Sequence, residues 1–205
     1  LINLGYTKEA EDFMHWVEKL CQDIGEGGNL KLMYTVNGEK ELDEKVLENM
    51  EGYKGSAPVR IGNNAHAQLQ LDIYGELMDA VYLSNKYGTP ISFGFWKNLS
   101  NQMDWVCDNW DQPDEGIWEV RGGRKKFLHS RLMCWVALDR ALKIGEARSF
   151  PLNPNWKIQR DIIFNSIYDN FWNTERKCFV QYEGSDSVDA ALLLMPIVRF
   201  ISPKD

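Results

Sequence analysis

Histidine is scarce in this chain, with three in 205 residues, and none repeats at a metal-ligand spacing. That argues against a His-based zinc or iron centre, and we expect neither metal nor cofactor. Four cysteines, Cys21, Cys107, Cys134 and Cys178, stand far apart with no C-x-x-C pair. Three fall in amphipathic stretches, which points to buried, reduced thiols in a reducing, cytoplasmic setting, with disulfides as the alternative. No apolar run approaches the roughly 20 residues that span a bilayer; the longest is Ala190 to Val198. No membrane partner is expected. Positive charge is also short: 23 Lys and Arg face 30 Asp and Glu, a net charge of −7. That field repels a phosphate backbone, so nucleic acid is an unsuitable partner.

Helical periodicity is what the chain has in quantity. Thr7 to Ile24 carries Ala10, Phe13, Met14, Val17, Leu20 and Ile24 at helical spacing, with Thr7 as cap and Gly25 as stop. A second helix is expected from Asn63 or Asn64 to about Lys86, with one face of Ala65, Leu69, Ile73, Leu77, Ala80 and Val81 and another of Leu71, Tyr74 and Met78. Thr89 and Pro90 open a third that runs to Trp110. A fourth follows from about Phe127 to Lys143, with Gly145 as its stop, and a fifth from about Trp156 to Trp172. A sixth begins at Asp186 or Ser187 and ends or kinks at Pro196. Lys31 to Val36 reads as a strand entering a hairpin turn at Asn37-Gly38. The fold class is therefore all-α, six long helices with long loops and a minor β-hairpin. Long loops in a helical protein are where function concentrates.

One loop stands out, PDEGIWEVRGGRKKF from Pro113 to Phe127. Asp114 and Glu115 precede a glycine and read as a solvated turn. Glu119 follows Ile117 and Trp118 and precedes Val120. A carboxyl group against an indole is desolvated, its pKa rises, and it becomes a general acid near neutral pH. The competing reading is an ion pair of Glu119 with Arg121 or Arg124. Eight tryptophans are many for this length, and Trp105, Trp110 and Trp118 crowd this loop. Flat indole faces suit sugar rings. Trp105 and Trp135 are assigned to the core and Trp118 to a site. A second polar group, Arg60, Asn63, Asn64, His66 and Gln68, clusters at a loop-to-helix junction and suits hydroxyl binding, with helix capping by the asparagines as the alternative. His66 and His129 read as core histidines. DNWDQPDEG lacks the order of a calcium loop, and GGRKKF lacks the rest of a phosphate loop.

These residues resemble a known family. NWDQPDEGIWEVRGGRKKFLHSRLMCWVALDRAL is similar to the general-acid segment of the glucoamylase-like glycosidases, glycoside hydrolase family 15. The shared positions are Trp110, Pro113, Asp114, Gly116 to Glu119, Arg121, Gly122, Ser130, Trp135 to Ala137 and Asp139 to Ala141. GYKGSAPVRIGNNAHAQLQLDIYGE and SDSVDAALLLMP resemble two further family segments, the second with Ala191 where a small hydroxyl residue is usual, and LGYTKEAEDF resembles a family helix. The resemblance implies part of an (α/α)6 toroid. It implies an inverting hydrolase of α-glucosidic bonds in starch-like glucans, or of trehalose in some members, so the expected partner is a carbohydrate. By position, Glu119 becomes the general acid, Trp118 a sugar platform, and Arg60 and Arg121 pocket residues, with Asn63 and Gln68 as hydroxyl-binding candidates. A non-catalytic helical carbohydrate-binding or scaffold module is the rival from another class. A metal-dependent enzyme on a helical toroid would need aspartate-rich motifs, which the sequence does not contain.

An inverting enzyme needs a second carboxylate about 6.5–9.5 Å from the first to activate water. The resemblance puts that glutamate after the SDSVDAALLLMP segment, and a sugar-gripping Arg-Asp pair before LINLGYT. The chain starts without an initiator Met or signal pattern and stops at ISPKD. Residues 1–205 are accordingly expected to be one partial catalytic domain, cut at both ends and with little hydrolase activity alone. An open half of a toroid exposes apolar helix faces, which drive association. Light scattering is expected to show a dimer or swapped assembly; a clean monomer that binds no hydrophobic dye would count against it.

Overall fold

The computed structural model describes residues 1–24, 29–118 and 122–204, with the side chains of all but Asn3, Asp23 and Ile24. The chain is mostly helical. It divides into two units, Leu1–Leu30 with Gln70–Asp205, and Lys31–Leu69.

The larger unit is built from five long helices and one short one. These are α1 (Thr7–Ile24), α2 (Ile73–Tyr87), α3 (Phe93–Asn109), α4 (Leu128–Arg148), α5 (Pro154–Phe171) and the single-turn α6 (Leu194–Ile197). Helix α4 is the centre, with α2 and α5 making its most extensive contacts. Its sequence shows a stripe of Leu128, Leu132, Trp135 and Leu142, but the structure buries nearly its whole circumference from Leu128 to Leu142. The buried Arg140 and Asp139 on it are paired within the unit, Arg140 with Asp79 at 2.7 Å and with Asp139, and Asp139 with the exposed Lys143 at 2.7 Å. Aromatic pairs close the core around it. Trp135 meets Phe200 edge-on at 5.0 Å, Trp96 meets Trp156 at 5.7 Å, and Tyr74 stacks on Trp105 at 4.8 Å.

Helix α1 has the bounds its sequence predicts, and Ala10, Val17, Leu20 and Cys21 form its buried face. The predicted stop at Gly25 lies outside the described residues. Helix α2 is shorter than predicted. The segment after Asn63 forms a 3-10 turn, Asn64–Ala67, and Gln68 is extended. In an unbroken helix the Leu71 N–H would serve the preceding turn; it donates instead to the Asp114 carboxylate at 2.9 Å. The core face of α2 is the Tyr74, Met78 and Val81 set. Helix α3 is capped by Ser92, whose Oγ accepts from Phe95 N at 3.0 Å, rather than by Thr89. Thr89 donates its hydroxyl to Glu11 at 2.7 Å.

Gly145 does not end α4. The helix passes through it to Ser149, which takes the left-handed conformation at φ 53°. A side chain at 145 would meet Leu152 Cδ2 at 2.2 Å, so this glycine serves close packing. Helix α5 has Asn153 as cap and Pro154 in its first turn, starting slightly ahead of the predicted Trp156. The predicted sixth long helix is absent. Ser187 uses its carbonyl to accept Gln181 N at 2.8 Å, and Asp189 is extended. Only a 3-10 turn, Ala190–Leu193, and α6 follow. Strands β3 (Trp172–Asn173) and β4 (Cys178–Phe179) form a small antiparallel pair with Trp172 opposite Phe179.

The smaller unit holds no strand at Lys31 to Val36. The turn is present, with Gly38 N donating to Thr35 O at 2.9 Å, but its arms do not pair as strands. The pairing forms later, between β1 (Lys45–Val46) and β2 (Arg60–Ile61), antiparallel with Val46 opposite Arg60. A weak alternating run without a matching partner run cannot satisfy a ladder, and the chain pairs where one exists.

Cys21, Cys107 and Cys134 are buried and unpaired, and Cys178 is half-buried and unpaired. Burial pushes the Cys107 thiol up to about 12. Among the described residues no helix is long and apolar enough to cross a membrane.

The packing of α2 on α4 can be tested at Gly75. A Cβ there would lie 2.3 Å from the Met133 carbonyl oxygen, which is backbone and cannot rotate away. Gly75→Ala is expected to lower stability by about 3 kcal/mol, seen as a Tm fall of roughly 6–12 °C. Gly94→Ala, where only Ser92 Oγ at 3.7 Å comes near, is the control and should be neutral or stabilising.

Candidate active site

The loop between α3 and α4 is closed at its base. Asp114 and Lys125 exchange both backbone hydrogen bonds at 3.0 Å, which ties the two ends of the connection together. Gly116 sits at φ +66°, and a Cβ there would be 2.6 Å from the Phe127 ring. Glycine is needed at that point both for the left-handed backbone and for the approach of the ring.

Asp114 is not a solvated turn residue. It is fully buried, and its Oδ2 accepts from Leu71 N at 2.9 Å and from Ser130 Oγ at 2.7 Å. Burial pushes its carboxyl pKa up, against the pull of these two hydrogen bonds and of Arg131. Glu115 keeps the surface role predicted for it, half-buried and paired with Arg124 at 2.8 Å. That pair uses one of the two arginines proposed as partners for Glu119. Lys126 pairs with Asp111 at 2.7 Å, and Lys125 lies 3.8 Å over the Tyr182 ring. Arg124, Lys125 and Lys126 are therefore engaged in surface pairs.

Arg131 is a residue the sequence reading missed. It is 1% exposed, and its guanidinium donates to the Trp110 carbonyl, to the Gln112 carbonyl at 3.2 Å and to Asp111 at 3.3 Å. It lies 5.4 Å over the Trp110 ring. One buried fork thus holds the end of α3 against the start of α4, a task that a planar five-donor group suits.

Trp118 is 56% exposed at the tip side of the loop, and its indole N–H points at Asp189, 2.9 Å from each carboxylate oxygen. Asp189 also caps the Ala190–Leu193 turn, accepting from Ala191 N at 2.9 Å, and accepts from Gln181 Nε2 at 3.3 Å. One ring face-forming residue is thereby presented on a fixed support. Glu119 and Arg121, the general-acid and pocket assignments, lie outside the described residues.

The other predicted binding residues belong to the smaller unit. Arg60 pairs with Glu44 at 2.9 Å and remains half-exposed. Asn63 caps the 3-10 turn, accepting from Ala65 N at 2.9 Å, which is the capping alternative. Gln68 is half-buried at the C-cap of the same turn. Asn63 and Gln68 therefore stand at the two ends of one turn, with Arg60 on the strand before it. His66 is half-buried rather than core, its Nδ1 2.9 Å from Asn63 O and its Nε2 3.6 Å from Asp43.

A buried polar group lies near Asp114. His129 is 2% exposed and Asp72 5% exposed, with His129 Nδ1 3.9 Å from Asp72 Oδ2. That distance is too long for a hydrogen bond. Neither His129 ring nitrogen, nor Asp72 Oδ1, nor Asp114 Oδ1 has a hydrogen-bond partner among the described residues. His129 is a core histidine, as expected. Desolvation governs both groups. It lowers the His129 pKa, and it raises Asp72 from 3.8 to about 6, helped by the nearby Asp114 charge. Both shifts favour the uncharged form of each group. Among the described residues no group of three or more His, Cys, Asp and Glu side chains is placed to hold a metal ion.

The Asp72 environment has a pH signature. The native state holds this proton more tightly than the unfolded chain does, so the group's contribution to stability is present below about pH 4 and is lost as pH rises through about 6. The penalty on the ionised form is roughly 3 kcal/mol. Asp72→Asn is expected to be more stable than the parent by about 2–3 kcal/mol near pH 8 and equal to it near pH 4 in denaturant unfolding. The same gain at both pH values would contradict the assignment.

A family model described as "Glycosyl hydrolases family 15" matches residues 1–205. A trehalase of Mycolicibacterium smegmatis is 38% identical over 212 residues, covering all of this chain and 31% of the relative. A trehalase of Thermoplasma volcanium is 34% identical over 207 residues, covering all of this chain and 32% of the relative. Trehalase 2 of Sulfolobus acidocaldarius is 39% identical over 184 residues, covering 84% of this chain and 30% of the relative. The chain thus spans about a third of the length of the curated relatives it matches. No solved structure matches it. A helical chain matched along its whole length by one family model, at more than a third identity to several relatives, belongs to glycosyl hydrolase family 15.

Proposed function

We propose that this chain supplies the proton-donating wall of a hydrolase whose substrate is α,α-trehalose. The observation that carries the reading is the support of the loop. Trp118 is exposed and anchored through its indole N–H, and the next residue is Glu119. Exposed aromatic faces suit sugar rings, and a carboxylic acid beside one is suited to protonate a glycosidic oxygen.

In this reading Glu119 gives its proton to the bridging oxygen as the C1–O bond breaks. Water adds to the anomeric carbon from the opposite face, losing its proton to a general base, and two glucose molecules result with inversion at the attacked carbon. Trp118 holds one ring by stacking. Arg121, Arg60, Asn63 and Gln68 are assigned to sugar hydroxyls, for which guanidinium and amide groups are chemically suited. No carboxylate of this chain is assigned as the base. Of the two substrates left open by the family resemblance, trehalose is favoured over malto-oligosaccharides and starch, because the relatives reported above all carry the name trehalase.

The test is glucose release from trehalose, maltose and soluble starch by the full-length protein. Turnover is expected on trehalose foremost, and Glu119→Gln is expected to lower kcat about 10²–10⁴-fold. Faster turnover on starch, or a Glu119→Gln enzyme as active as its parent, would overturn the reading.

A further inference from the structure

Asp189 and Trp118 are 71 residues apart in sequence and meet only in the fold. The contact is unusual for an exposed tryptophan. Its single donor is committed to a carboxylate, with both oxygens at 2.9 Å, while the ring stays 56% exposed. A charge-assisted bond of this kind is stronger and more directional than one to a neutral acceptor.

The acceptor is itself immobilised. Asp189 Oδ1 accepts from Ala191 N at 2.9 Å and Oδ2 from Gln181 Nε2 at 3.3 Å. Gln181 is tied in turn through its backbone, donating to Ser187 O at 2.8 Å and accepting from Leu128 N at 2.9 Å. Leu128 is the first residue of α4, the buried centre of the unit. A chain of bonds therefore leads from the core helix to the ring of an exposed loop residue.

We propose that Asp189 is a positioning residue: through the indole N–H it sets the orientation of Trp118. This rests on the assignment of Trp118 as a sugar platform made above. A carboxylate is required rather than any small polar group, because it must serve Trp118, the Ala191 cap and Gln181 together, and two oxygens with four lone-pair sites accept all three.

Two readouts test it. The first is NMR of the indole N–H groups in the 205-residue chain, with the Trp118 signal assigned by Trp118→Phe. Asp189→Ala should shift that signal and make its N–H exchange with solvent about ten-fold faster, with the other seven indole signals in place. Asp189→Asn, which keeps one carbonyl acceptor and the cap, should fall between. An unmoved Trp118 signal in Asp189→Ala overturns the proposal. The second is a double-mutant cycle on trehalose hydrolysis by the full-length protein. Asp189→Ala should lower kcat about ten-fold in the parent and have no further effect in Trp118→Phe, which has no N–H to hold. An equal loss in both backgrounds overturns positioning and leaves the hydrolase reading intact. A Glu119→Gln enzyme with undiminished turnover sinks the hydrolase reading, while the NMR experiment still decides the tether.

Discussion

The loop that carries Trp118 depends on one buried carboxylate. Asp114 joins three separate pieces of chain: its Oδ2 takes the Leu71 N–H ahead of α2 and the Ser130 hydroxyl in the first turn of α4, and its backbone closes the loop on Lys125. A buried carboxylate without partners would be strongly unfavourable, and each bond to a charged acceptor offsets part of that cost. Burial still raises the pKa of the group, so the bonds compensate for its desolvation only in part. That imbalance explains why the carboxylate dictates its surroundings: the α2 segment must stop short so that Leu71 can donate to it.

Helix α4 is the second constraint. It is buried around nearly its whole circumference from Leu128 to Leu142, so its arginines draw partners from other segments, Arg131 the Trp110 and Gln112 carbonyls and Asp111, and Arg140 Asp79 and the Val198 carbonyl besides its neighbour Asp139. His129 is the exception, with neither ring nitrogen bonded among the described residues, and Asp72 nearby is held near protonation. Strongly shifted groups in a dry pocket often mark functional sites, but structural networks shift them as well. Here His129 stands beside Ser130 in the first turn of α4, and Asp72, at the start of α2, gives the surroundings of Asp114 a pH dependence.

How much was legible follows from the range over which each feature is decided. The span of helix α1 was readable because its apolar spacing lies within one stretch. Ser92 displaced Thr89 as the cap of α3 because Thr89 is drawn to Glu11, a partner 78 positions away. The long sixth helix failed because Ser187 gives its carbonyl to Gln181 and Asp189 gives its side chain to a cap and a tryptophan. Local apolarity from Val188 to Leu194 had no means of registering those commitments.

The sequence by itself determined that the chain is all-α, that α3 and α4 are separate helices, and that the stretch between them carries a family 15 motif, since motifs and 3.6-residue periodicity are properties of short stretches. Tertiary structure alone decided that Asp114 is an anchor rather than a surface turn, that Arg131 locks the loop base, and that Trp118 hangs from Asp189. The physical reason is common to all three. Burial and hydrogen bonding of a charged group depend on what arrives from distant segments, and identical side chains are solvated, paired or tethered according to which neighbours the fold delivers.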